Sequence, residues 1–378
     1  LRRLLARLEE AGQLRVVEDE VDWKYEIGAW TRASYDSREK PALLFTNIRG
    51  YPGARMLTAV LTTPSRLALA LGQPEATPLR DLARLFRQRV GEPVAPVLVQ
   101  DGPVRERVLR GAEVDLEKMV PAPWWLPGDG GRYLGTWHAN VTRNGETGRL
   151  NAGVYRMQLL GPRWAALKFS RYSHFGLHLG QRERGGEPLE MAVVIGADER
   201  VVMAAATGVP EPVDEYTVAG ALMGRPLRLV RCETIDALVP AEAEMVIEGR
   251  FLPGERCLEG PFGEYTGYYS PGGNRCPVFR VSALTCRERP IMRGCLSGRP
   301  VCEDHVLFHL IGAAGLLNFG GPRWARAIEG LTLGSGLYGH LHRLYPIVHF
   351  LRGRRGWPRP CEPPRELMRK VSTRWRGA

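Results

Sequence analysis

The stretch from Val239 to Tyr269, VPAEAEMVIEGRFLPGERCLEGPFGEYTGYY, constrains this chain more than any other. Glu244 to Phe251 alternates loosely between polar and apolar residues, which predicts a strand. Gly260-Pro261-Phe262-Gly263 then separates Glu259 from Glu264. Residues on one helix face lie three or four apart, so this spacing does not pair the two carboxylates on a helix. Gly-Pro-x-Gly is turn chemistry, and a tight turn folds both acids back toward one point. Two carboxylates held together have their pKa values pushed apart, which suits one of them to keep a proton near neutral pH. The competing reading is a surface hairpin tip with two solvated glutamates.

The surrounding 378 residues, 44% hydrophobic and 25% charged, provide for two or three domains with cores of their own. No apolar run reaches the roughly 18 to 20 residues that span a bilayer. The opening LRRLLARLEEAG is interrupted by Glu9 and Glu10, so it reads as an amphipathic helix stopped by Gly12 and not as a leader. No initiator Met opens the chain, and a few preceding residues are expected. Seven cysteines (232, 257, 276, 286, 295, 302 and 361) are scattered without a CxxC pair. That pattern predicts neither a disulfide framework nor a zinc ribbon, and points to the reducing cytoplasm. The net charge of +11 is concentrated: residues 331–378 hold ten Lys/Arg against two Asp/Glu. The body is therefore close to neutral, which argues against nucleic acid as a partner.

Residues 1–118 alternate helix and strand signals and read as an α/β domain. Thr63-Pro64-Ser65 opens a helix that Gly72 ends, and Thr77-Pro78 opens another with leucines at 79, 82 and 85. Leu43–Phe45 and Leu57–Leu61 read as strands. PAPWWLPGDGG (121–131) marks a boundary, and residues 119–298 are dominated by strand signals at 138–142, 154–160, 191–195, 227–232, 245–251 and 278–284. Short strands with glycine-rich turns suggest a barrel or split barrel. Residues 299–378 read as a remnant: a helix from Glu303 to Leu317, then a tail rich in Arg, His, Pro and Trp, either disordered or out of frame. Gly334 to Gly339 formally spells GxGxxG but lacks the strand and helix a dinucleotide site needs. His305 and His309 share a helix face without the Glu of HExxH, and core or surface roles fit them better.

EGPFGEYTGYY following VPAEAEMVIEG resembles the signature of the UbiD family, decarboxylases that use prenylated FMN. NAGVYRMQ (151–158) resembles that family's cofactor strand. The resemblance implies an α+β fold: an N-terminal α/β domain, then a split β-barrel related to flavin reductases, with the C-terminal part of the pattern truncated or aberrant here. It implies that Asn151 is a metal ligand, that Val154 and Tyr155 lie along the cofactor, and that Arg156 holds the substrate carboxylate, for which its planar fork is suited. On one continuous strand, residues 151, 153 and 155 would face opposite to 154 and 156. In LKFSRYSHFGLH, Lys168 and Ser173 fall at cofactor-contacting positions and His174 at the histidine ligand, with His178 the alternative. Glu215 in DEYTVAG matches the third ligand, and the Ala204 and Ala205 carbonyls match a K+ site.

An Asn, His and Glu donor set suits Mn2+ or Mg2+ over thiolate-bound zinc. By the same resemblance Glu264 is the proton donor and Glu259 its partner on Arg156. The implied activity is non-oxidative, reversible decarboxylation of an aromatic or α,β-unsaturated acid, such as a polyprenyl-hydroxybenzoate or a simpler phenolic acid. A flavin prenyltransferase would supply the cofactor, and an intact C-terminal region would make the enzyme a homo-oligomer. The alternative is a truncated, non-catalytic relative acting as a binding or assembly subunit. A nucleic-acid binder working through the basic tail ranks last.

Overall fold

The computed structural model describes residues 1–209, 213–314 and 359–376. Its fold is mixed α+β, built on three sheets. The first has the order β1 (Leu14–Val17), β2 (Ala42–Phe45), β3 (Arg55–Thr58) and β16 (Ile291–Arg293), so a strand from far along the chain completes an N-terminal layer. Helices α1 (Arg2–Glu10), α2 (Glu26–Asp36), α3 (Pro64–Ala70) and α4 (Leu79–Val90) accompany that sheet. α1 buries Leu4 and Leu8, one turn apart, and the chain leaves it through Gly12 at φ +65°. Thr63 caps α3, its hydroxyl accepting from the Arg66 N–H at 3.3 Å, and α4 buries Leu82, Ala83 and Phe86 along one face. The strand expected over 57–61 lies over 55–58 instead. Ala59 adopts φ +56°, a left-handed conformation that ends the extended run before Val60 and Leu61.

The second sheet is a curled half-barrel. Its order is β6 (Tyr133–Gly135), β9 (Met157–Gly161), β10 (Trp164–Leu167), β15 (Asn274–Cys286), β14 (Met245–Glu259), β11 (Leu189–Ile195), β7 (His138–Arg143) and β8 (Leu150–Gly153), with β5 (Arg107–Arg110) also paired to β15. Register shifts in β14 at Glu248/Gly249 and Phe251/Arg256 bend the long β14–β15 ribbon and increase its twist. Gly249 is required there, since a Cβ would lie 2.2 Å from the Arg280 carbonyl oxygen. One correction bears on the site. The strand expected over 154–160 is interrupted: β8 ends at Gly153, β9 begins at Met157, and Val154-Tyr155-Arg156 runs between them without ladder pairing.

A small third sheet pairs β12 (Arg228–Arg231) with β13 (Leu238–Pro240) and β4 (Val97–Leu98). The remaining helices are α5 (Leu116–Met119), α6 (His174–Arg184), α7 (Glu199–Ala206), α8 (Glu215–Met223), α9 (Glu303–Ala313) and α10 (Arg365–Arg376). Arg293 ties the layers together, buried among Glu199 at 2.8 Å, Glu303 and the Trp137 ring. All seven cysteines are free. Among the described residues no helix is long and apolar enough to cross a membrane.

The expectation of a disordered tail is corrected for its last part. α10 packs on α2, with the Trp375 and Trp30 rings 5.7 Å apart and Arg374 donating to Glu26 at 2.6 Å. Before it, the Tyr269 N–H donates to the Arg359 carbonyl and the Cys361 N–H to that of Gly267, both at 3.0 Å. Residues 359–361 thus strap the turn that carries Glu264. The GxGxxG run and the expected end of α9 near Leu317 lie outside the described residues.

Candidate active site

β14 ends at Glu259, and the Gly260–Gly263 turn carries the chain back so that Glu264 faces the same cation. The Arg156 guanidinium grips Glu259 with both its Nε and Nη2, at 2.8 and 3.0 Å, and donates from Nη1 to Glu264. Nη2 also reaches the Ser270 hydroxyl at 3.3 Å. Bringing two acids to one point was legible in the turn; the cation between them followed only from the resemblance. Arg156 sits over the Phe262 ring at 5.0 Å. Glu259 is buried and takes two further donors, the Tyr133 hydroxyl at 2.9 Å and the Asn274 amide at 3.3 Å. Asn274 in turn accepts from the Lys168 ammonium at 3.1 Å.

Burial pushes the Glu264 carboxyl above the ordinary carboxylate range, against the opposing pull of Arg156. Burial also opposes charge on Arg156, but its carboxylates prevail and raise it further. Behind the turn, Asp129 accepts from the Gly263 N–H at 2.8 Å and the Leu126 N–H at 2.9 Å. Its carboxyl is pushed up to about 7 by burial. Sequence reasoning missed Tyr133, Asn274, Ser270 and Asp129. PGDGG and PGGN read as turns, and nothing in them announces burial.

Arg156 and Glu264 line a cavity of about 580 Å³, together with Val154, Tyr155 and Lys168. Its apolar wall includes Phe169, Phe262, Leu307 and Phe308. His138, also missed, is on the wall and buried, with Nδ1 lacking a partner. Burial pulls its pKa down to about 4, so the ring is neutral at physiological pH. The interrupted backbone explains how Arg156 enters this cavity. Tyr155 folds back over Gly153, where a Cβ would stand 2.6 Å from its hydroxyl, and the Asn140 amide captures the Tyr155 carbonyl at 3.0 Å.

The three residues expected to hold a metal come together in a separate small recess. His174 Nδ1 lies 2.7 Å from Asn151 Oδ1 and 3.9 Å from Glu215 Oε1. Glu215 Oε2 accepts from the Ala152 N–H at 3.0 Å. Burial, with Asp214 adjacent, pushes Glu215 up to about 7. Asn151 Nδ2 is buried without a partner among the described residues. His178 also borders the recess, but its Nδ1 lies 2.9 Å from the Thr142 hydroxyl. Ser173 caps α6, accepting from the Gly176 N–H at 3.2 Å. Ala204 and Ala205 form the last turn of α7, where the Ala204 carbonyl already accepts from the Thr207 N–H at 3.0 Å.

A curled sheet thus holds an acid–arginine–acid cluster on a cavity of about 580 Å³, and comparison with known proteins gives it a family. Residues 97–300 match the family model of the 3-octaprenyl-4-hydroxybenzoate carboxy-lyase Rift-related domain, and residues 5–86 that of its N-terminal domain. The chain belongs to the UbiD family. It is 38% identical over 326 residues to the pyrrole-2-carboxylic acid decarboxylase of Pseudomonas aeruginosa, covering 84% of this chain and 65% of that protein. The chain thus spans somewhat less than two thirds of that relative's length. An evolved dimeric form of the UbiD-class enzyme HmfF from Pelotomaculum thermopropionicum, solved with prFMN, superposes with a TM-score of 0.76 at 35% identity, over 83% of this chain and 70% of that one. The vanillic acid decarboxylase of Sedimentibacter hydroxybenzoicus, in its open form, gives 0.77 at 31% identity, over 83% and 67%.

Proposed function

We propose that this chain is the flavin-binding and acid–base part of a non-oxidative carboxy-lyase acting on an aromatic or α,β-unsaturated carboxylic acid. The observation that carries this reading is Arg156 clasped by Glu259 and reaching Glu264 on the cavity wall. Membership of a family whose solved relatives hold prFMN or FMN supports the flavin, and the split-barrel description of the curled sheet goes with it. The donor set supports a hard divalent ion, Mn2+ or Mg2+, held by Asn151, His174 and Glu215. Asn151 presents an oxygen, His174 a ring nitrogen, and the buried Glu215 lacks a neutralising Lys or Arg among the described residues. A monovalent K+ would sit at the carbonyl end of α7. Val154, Tyr155, Ser173 and Lys168 would line the cofactor, with the Lys168 ammonium serving its anionic part.

When bound, prenylated FMN would supply an electron sink for loss of carbon dioxide from an sp² carbon. The protein's own residues then have three tasks. Arg156 orients the substrate carboxylate. Its grip on Glu259 fixes the guanidinium plane, so the Nη1 contact to Glu264 is the one a substrate carboxylate exchanges with. That exchange leaves Glu264 beside a second anion, which favours the proton on its Oε atom. Glu264 then delivers this proton to the carbon that has lost its carboxylate. Phe169, Phe262, Leu307 and Phe308 exclude water and suit a flat, apolar acid. A flavin prenyltransferase would supply the cofactor, and a cytoplasmic homo-oligomer is the assembly we propose.

Replacing Glu264 by Gln keeps the shape and removes the proton. Turnover by the cofactor-loaded enzyme should fall by about 10²- to 10⁴-fold, the usual worth of a positioned acid, with flavin binding unchanged. Undiminished turnover would take Glu264 out of the mechanism.

A further inference from the structure

A second cavity, of about 360 Å³, lies away from the acid–arginine cluster and is lined by five arginines: Arg3, Arg7, Arg89, Arg200 and Arg225. They come from α1, α4, α7 and the turn after α8. Two carboxylates also border it, and only one faces the charge. Asp198 binds Arg200 through both oxygens at 2.7 Å. Glu199 is committed inward, to Arg293 at 2.8 Å and the Trp137 indole at 2.7 Å.

The plain alternative is that these arginines cap helix ends. Arg89 donates to the Leu222 carbonyl at 2.6 Å and Arg7 to the Leu69 carbonyl at 3.3 Å, near the C-terminal ends of α8 and α3. A helix end carries only about half an elementary charge, however. These two C-terminal ends offset about one charge, and the N-terminal end of α7 returns about half of one. With Asp198 counted, a surplus of about three and a half positive charges remains in a concave space, where the field is focused. Arg3 and Arg225 form no side-chain hydrogen bond or ion pair among the described residues. Arg89 is pulled below its ordinary pKa by burial and by repulsion from Arg200. Helix capping thus accounts for two of the five arginines and leaves the surplus unexplained.

We propose that this cavity is a binding site for a small multivalent oxyanion, a linked phosphate or a polycarboxylate, clasped by the arginine forks. At about 360 Å³ the space suits a small ligand. It also touches the main cavity indirectly. α7 presents Glu199 and Arg200 to the arginines at one end, and Val202, Ala205 and Ala206 to the flavin-sized cavity at the other. An occupant would therefore rest against a helix that walls the proposed active site.

The test is isothermal titration calorimetry of the full chain at low salt, with pyrophosphate in one arm and citrate in the other. At least one should bind at a single saturable site. An Arg3→Ala/Arg225→Ala double variant, which removes no internal partner, should weaken that binding at least about tenfold. Arg225→Lys should restore part of it, and Arg38→Ala/Arg163→Ala, exposed elsewhere, should leave it unchanged. Pyrophosphate binding alone would identify a phosphate chain, and binding in both arms a general polyanion site. No saturable binding in either arm, or equal affinity in the double variant, overturns the proposal. Neither result depends on whether the chain is a decarboxylase.

Discussion

The Arg156 cluster gathers at the end of β14 and the Asn151 cluster on β8 and the first residues of α6 and α8, and they differ in how completely they satisfy themselves. Around Arg156 nearly every charge has its partner. Glu259 takes both forks of the guanidinium with Tyr133 and Asn274 alongside, and Glu264 takes Nη1. Among the described residues the Asn151 amide nitrogen has no partner, and His174 stands 3.9 Å from a buried carboxylate that no Lys or Arg neutralises. A buried polar group left unpaired costs free energy that folding alone does not return. The first cluster is organised without a ligand; the second is organised for one. Under the proposed function, metal and flavin phosphate would be held at the second, and a substrate carboxylate at the first.

The sharpest way to break this contrast is Arg156→Ala. It leaves Glu259 buried with no cation, and loss of one partner of a buried pair destabilises by about 3–5 kcal/mol. Urea unfolding of the cofactor-free protein would read it, and a loss below about 1 kcal/mol would mean the cluster is not the closed unit described. Asp129, which holds the turn from behind, should give the next largest effect. Its carboxyl titrates near 7 in the folded protein, above the ordinary carboxylate range. Folding thus favours the neutral form, so its stabilisation is full below the ordinary carboxyl pKa and is lost as pH rises through about 7. Between pH 4 and 8 the parent should lose on the order of a few kcal/mol that Asp129→Asn does not lose. Parallel stability profiles for the two proteins would refute this.

Glu215→Gln probes the other side. In the absence of metal it should cost less than about 1 kcal/mol, because no cation is orphaned. Mn2+ affinity, followed by electron paramagnetic resonance, should nevertheless fall at least about tenfold, since one of three donors loses its charge. Unchanged Mn2+ affinity would move the ion away from Asn151, His174 and Glu215.

The two clusters were not equally legible. Gly260-Pro261-Phe262-Gly263 announces a turn by local chemistry alone, and the turn brings Glu259 and Glu264 to one point as expected. The interruption at Val154-Tyr155-Arg156 has no local signal, because the polar–apolar pattern runs on through it. A tertiary contact, the Asn140 amide on the Tyr155 carbonyl, ends the ladder there. Asp129 and Tyr133 escaped because burial is not written in a turn or a single aromatic. The arginine cavity escaped because its residues are scattered from position 3 to position 225. The tail is different: Leu367, Met368, Val371 and Trp375 carry helical spacing within RELMRKVSTRWR. Its basic composition overshadowed a periodic signal that was present.

The smallest effect sharpens the comparison most finely, because it falls where the cluster meets the main cavity. Asn274 donates to Glu259 at 3.3 Å and to the Pro271 carbonyl at 2.9 Å, and accepts from Lys168 at 3.1 Å. Asn274→Ala leaves Glu259 with Arg156 and Tyr133, so stability should fall by only about 1 kcal/mol, the net worth of a typical hydrogen bond. Lys168, by contrast, loses its side-chain tether and regains the rotamer freedom of a long side chain. If the Lys168 ammonium meets the anionic part of the flavin, FMN affinity measured by fluorescence quenching should drop about two- to fivefold, and Lys168→Ala should add little to it. Additive losses in the double variant would show Lys168 and Asn274 acting separately. The Arg156 cluster would then end at Asn274, and the cofactor would be held by the Asn151 side alone.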